Sequence, residues 1–124
     1  MVLGTPARNA AAAAVTLLLD AGSGAGTIKI MESDDTLLAT LTFSDPAFTT
    51  PPVTGVQTAD TITADSSADA AGTAAKYEVL DSDANVIWTG DVGTGSEDIV
   101  LNTVSIVAGA NVSISSWTVT QPTS

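Results

Sequence analysis

From residue 27 onward, apolar side chains recur at every second position in short runs separated by turn residues. Leu37, Ala39, Leu41 and Phe43 alternate with Leu38, Thr40 and Thr42, and Ile28 and Ile30 flank Lys29. A period of two places alternate residues on one face of an extended chain, so these runs specify half-buried strands and exclude helices. Glu32–Asp35, Ser44-Asp45-Pro46, Ser82–Asn85, Gly93–Ser96 and Gly109-Ala110-Asn111 supply the turn chemistry between runs. Further strands are expected over 74–81, with Tyr77 and Val79 on one face, and over 86–92, with Val86, Trp88 and Val92 aligned. Others follow over 98–102, 104–108 and 112–121, and a less regular one over 59–64 has Ile62 inward. Thr49-Thr50-Pro51-Pro52 reads as an extended loop, because proline cannot donate to a central ladder. Residues 65–72 read as a long surface loop.

One segment breaks the pattern. Ala10–Ala14 is a run of alanine, the residue with the highest helix propensity. A helix is expected over 7–21, with Thr5 as N-cap, Pro6 at the first position and Gly22 as the stop. Ala11, Ala14, Val15 and Leu18 form its apolar stripe. The opposite face is alanine rather than charge, so the helix is expected to be covered on more than one side, by its own sheet or by a neighbour. The reading is a mainly β fold, an antiparallel sandwich or jelly-roll-like domain with one N-terminal α-helix. Residues 1–6 form an arm, and 7–124 form a single domain whose β body spans 27–121.

The 124 residues suffice for one core. Hydrophobic residues make up 44% and charged ones only 14%, which separates this chain from disordered ones despite a net charge of −11. Fourteen acidic residues against three basic ones argue against binding nucleic acid or anionic membrane surfaces. The run Ala10–Leu19 is about half the length of a membrane span. With neither Cys nor His, thiolate chemistry, disulfides and the commonest general base are excluded. Much of the apolar content is Ala and Val, so the core is expected to be thin and to gain stability from assembly.

Each motif that invites a chemical reading has a plainer one. Gly22–Gly26 follows a helix and opens a strand, the reverse of a phosphate loop, so it reads as a flexible connector. Asp81-Ser82-Asp83-Ala84-Asn85 matches the first positions of a calcium loop, but Val86 and Val92 replace its required Gly and Glu. It reads as a hairpin turn, with a weak calcium site completed by another loop or subunit as the alternative. Glu32, Asp34 and Asp35, and Asp60, Asp65 and Asp69, read as solvated loops. Trp88 and Trp117 carry apolar neighbours at i±2 and read as core rather than as sugar platforms. Val112 and Ile114 differ in parity from Trp117 and Val119, which calls for a β-bulge at Ser115 or Ser116. No catalytic, cofactor-binding or metal-binding set is expected, and the chain does not read as an enzyme.

The segments Asp20–Gly26 (DAGSGAG), Leu38–Phe48 (LATLTFSDPAF), Leu80–Val92 (LDSDANVIWTGDV) and Leu101–Pro122 (LNTVSIVAGANVSISSWTVTQP) resemble small structural proteins of tailed bacteriophages. The resemblance implies a virion protein, foremost a capsid decoration (cement) protein on the outer capsid surface. Its implied partners are its own copies, as a homotrimer, and the major capsid protein or other virion proteins. The alternative it implies is a tail or fibre component that recognises a host surface glycan or protein. It implies no functional residue and no cofactor.

Overall fold

The computed structural model describes residues 1–101, 103–114 and 116–122. The chain is mainly β with one N-terminal helix, as the patterning requires. Helix α1 (Thr5–Leu17) runs into a 3-10 turn (Leu18–Asp20). The strands are β1 (Thr27–Met31), β2 (Leu37–Thr42), β3 (Val56–Thr58), β4 (Gly72–Thr73), β5 (Lys76–Leu80), β6 (Val86–Gly93), β7 (Ile99–Val100), β8 (Ser105–Ile106) and β9 (Thr118–Thr120). Among the described residues no helix is long and apolar enough to cross a membrane.

A five-stranded sheet in the order β2-β1-β5-β6-β7 forms the body. Its register builds two inward rows, Leu41–Ile28–Val79–Trp88 and Ala39–Ile30–Tyr77–Gly90. The row between them, Thr40–Lys29–Glu78–Thr89, is polar and lies on the opposite face. The alternation seen in the sequence thus becomes one apolar face and one solvated face, as antiparallel sheets allow. The remaining strands form two ribbons, β3-β9 and β4-β8, and the buried cluster under the apolar face takes in Leu19 from the 3-10 turn, Ile106 of β8 and, packed against it, Val119 of β9.

Several sequence expectations are corrected. The helix starts at Thr5, which shortens the arm to 1–4, and Gly4 rather than Thr5 is the N-cap. The helix buries Ala12, Thr16 and Leu19, not the stripe of Ala11, Ala14, Val15 and Leu18; Leu18 is exposed. β7 pairs parallel to β6, where an antiparallel fold was expected. The ladder is only two residues long, so the loop at 94–98 needs to swing back no further than Val92. In β6, Val86 is exposed while Val92 is buried, because the register shifts beside it, between Val79 and Leu80 of β5.

The middle of the chain is pinned rather than loose. The expected strand at 59–64 is reduced to a single bridge between Thr63 and Thr42, and the pairing segment lies earlier, at β3. Within 65–72, Asp65 bridges Val112, the Asp69 amide donates to the Leu38 carbonyl at 2.8 Å, and Ala68 is buried. Of the last expected strand, 112–121, β9 and the Val112 bridge are the parts paired among the described residues. Val112, Ile114 and Trp117 are all buried despite their mismatched parity. Of the two positions where a bulge was expected, Ser115 lies outside the described residues, and Ser116 is exposed and outside any strand.

Candidate contact surface

The helix is tied to the body by polar side chains on one flank. The Arg8 guanidinium donates to the Gln121 carbonyl at 3.0 and 3.2 Å, and the Asn9 side-chain oxygen accepts from the Gly55 amide at 2.7 Å. Two turns further on, the buried Thr16 hydroxyl donates to the Gln57 side-chain oxygen at 2.9 Å, linking α1 to β3. These contacts fix the rotation of the helix. They leave Ala7, Ala10, Ala14, Leu17, Leu18 and Ala21 facing outward.

That outward row recurs at spacings of three and four residues, so it forms one continuous stripe. It carries no charge on a chain of net charge −11. Leu17 is 67% exposed and Leu18 49%. Most surface helices show polar residues on this side. Single exposed leucines are ordinary, whereas a contiguous uncharged stripe with two adjacent leucines is the kind of surface that marks contact sites. Its alanines also lose almost no side-chain entropy when covered. The sequence-derived stripe was displaced by one residue, so it shared only Ala14 and Leu18 with the exposed one.

The aromatic side chains form a second feature. Trp117 lies 6.1 Å from Phe43, 5.3 Å from Tyr77 and 5.9 Å from Trp88 between ring centroids, and Phe43 lies 5.9 Å from Phe48. All five aromatics of the chain therefore join one cluster with Trp117 at its hub. Trp117 is buried as expected; Trp88 is only half-buried. The Trp117 indole donates to the Asp98 carbonyl at 3.0 Å, and the Tyr77 hydroxyl donates to Asp98 Oδ2 at 3.2 Å. The Asp98 amide donates to Asp91 at 2.9 Å. Burial, and next the Asp98 charge, push the Tyr77 phenol well above its usual pKa. Gly90 makes this arrangement possible: a Cβ there would overlap Asp98 Oδ2 and lie 2.6 Å from the Tyr77 oxygen.

Many of the acidic side chains serve the backbone. Asp20 accepts from the Ala47 amide, Asp65 from Thr40 and Ser67, Asp60 from Thr49, and Glu32 from Thr73. Asp34 accepts from Thr36, and hydrogen bonds from Thr36 hold its carboxyl below the usual range. Asp35 pairs with Lys76. Asp81 accepts from the Asn85 side chain and amide and from the Asp83 amide, and the Asn85 side chain chiefly lowers its pKa. Those turn donors occupy the carboxylate that a calcium loop would need in first position. No group of three potential ligands converges on a metal position among the described residues. The glycine-rich segment 22–26 is packed: a Cβ on Gly22 would overlap the Ser82 hydroxyl, and one on Gly26 would lie 2.8 Å from the Leu80 carbonyl.

No protein-family model, curated protein or solved structure matches this chain.

Proposed function

We propose that this chain is a structural protein of a tailed-bacteriophage virion that decorates the outer surface of the capsid. In this reading it assembles as a homotrimer and clamps the major capsid protein through subunit contacts. The observation that carries the reading is the uncharged stripe Ala7–Ala10–Ala14–Leu17–Leu18–Ala21 on a strongly acidic body. Like copies of such a body repel one another wherever carboxylates face each other. A charge-free helix face is where that repulsion is weakest and apolar burial strongest.

Three further features support the assignment. The sequence segments quoted above resemble those of phage structural proteins. Net acidity suits a surface facing away from packaged DNA. Carboxylates bonded to backbone amides, together with a five-stranded sheet, give a rigid body suited to clamping. The mechanism is mass action: a protein that binds only the assembled shell stabilises it at each site by an amount that grows with the logarithm of its free concentration over its Kd.

Quantitative mass spectrometry of purified virions tests the assignment through copy number. Hundreds of copies per particle are expected. A handful would identify a tail or fibre component, and complete absence from the particle would end the virion reading.

A further inference from the structure

The aromatic cluster opens to solvent beside Asp98. Trp88, Trp117, Thr118 and Thr120 line this opening with Asp98 and Tyr77, and its volume is about 230 Å³. A second opening, lined by Gly90, Asp91, Glu78 and Thr89, meets the first at Tyr77 and Asp98. Asp98 therefore stands on the rim of both. Its backbone is held from two sides, by Asp91 and by Trp117, and its Oδ2 is held by the Tyr77 hydroxyl. A carboxylate fixed in this way does not need to be ordered when a ligand arrives.

We infer that this opening is a binding site for a small organic cation, an alkylammonium group held between the Trp88 indole and the Asp98 carboxylate. Three observations select this chemistry. First, charge: the Asp98 carboxylate lines both openings and Asp91 lines the second, while the Lys76 ammonium beside the second is engaged by Asp35. Anions are repelled here and cations attracted. Second, π-surface: Trp88 is only half-buried and lines the opening, and indole is the best ring for attracting a cation to its face. Third, size: the opening beside Trp88, about 230 Å³, has room for one head group, and it joins a second of about 530 Å³ on the Gly90 side. The site is independent of the virion assignment and stands or falls on its own test.

The probe is choline, titrated into the intact protein against sodium chloride at equal ionic strength, with methyl glucoside as a neutral comparison. Two-dimensional NMR reads the indole N–H signals of the two tryptophans. A saturable shift of the Trp88 signal with choline, absent with sodium and glucoside, is expected. Asp98→Asn is expected to weaken binding about tenfold or more. Asp69→Asn, which removes the same charge from an exposed position, is expected to leave it unchanged. The free cation and a protein-borne one are distinguished by repeating the titration with an acetylated, amidated trimethyllysine. A tighter response to that compound assigns the site to a side chain of a partner, and an equal one assigns it to the head group alone. No saturable response to either cation overturns the inference. So does equal weakening by both variants, or binding of the glucoside with the cations silent.

Discussion

The hydroxyl of Thr16 is the most informative atom to remove. It donates to Gln57 Oε1 at 2.9 Å, and the two residues are only 3% and 5% exposed. The same hydroxyl lies 3.1 Å from the Ala12 carbonyl and 3.3 Å from that of Ala13. Both carbonyls sit inside α1 and have helical N–H donors of their own, so neither depends on it. Thr16→Val keeps the shape and leaves no cavity, but it strands the Gln57 oxygen without its donor. An orphaned buried acceptor costs about 1–3 kcal/mol. At this length, about 3–6 °C of Tm accompanies each kcal/mol, so a fall of about 3–18 °C is expected in calorimetry. Adding Gln57→Leu removes the orphan. The double variant is expected to recover about 1 kcal/mol or more relative to the sum of the two single variants. A Thr16→Val protein within about 0.5 kcal/mol of the parent, or strictly additive single variants, would refute the helix-to-β3 link.

Two other perturbations report on the neighbouring cluster. Gly90→Ala drives a methyl into the Asp98 carboxylate and the Tyr77 ring; Asp98 can swing away but the buried ring cannot, so a loss of about 1–3 kcal/mol is expected in urea unfolding. An unchanged midpoint would show that the row Tyr77–Gly90 is looser than drawn. Tyr77 is the chain's single tyrosine, so its ionisation can be followed by ultraviolet absorbance. Its folded pKa is raised, so the native state holds the proton longer than the unfolded state. Stability is then unaffected below pH of about 10 and falls as pH rises above it. A native phenol titrating at its ordinary value would contradict the burial and the Asp98 contact.

Much of the body was legible because alternation is a strong signal. The β5–β6 hairpin was readable to within two residues, since Tyr77 and Val79 fix one face and Asp81–Asn85 provides a turn whose aspartate bonds three donors of its own loop. β1 and β2 were legible for the same reason. The helix was legible as a helix but not in its rotation. Five consecutive alanines offer no contrast between faces, and the deciding groups, Arg8, Asn9 and Thr16, are polar residues whose partners lie 41 to 113 positions away. β3 and β9 pair residues 56–58 with 118–120, and nothing local marks a ladder closed over that distance. The convergence of Phe43, Phe48, Tyr77, Trp88 and Trp117 on one cluster was hidden in the same way. Individual carboxylates were read as solvated loops because net charge says nothing about which amide each one caps.

Those polar tethers also explain why the uncharged stripe faces outward. Holding α1 by Arg8, Asn9 and Thr16 turns Leu17 and Leu18 away from the core, although the 3-10 turn brings Leu19 fully into it. Covering the exposed part of Leu17 is worth about 1–2 kcal/mol per copy, which is enough for one charge at that position to reverse.

Sedimentation equilibrium of the purified chain, run beside its Leu17→Glu variant across a wide concentration range, tests the contact surface most directly. A mass that rises from the 12.3 kDa monomer toward a trimer in the parent, and stays monomeric in the variant, is the expected result. Parent and variant that are both monomeric throughout, or that associate equally, would contradict it.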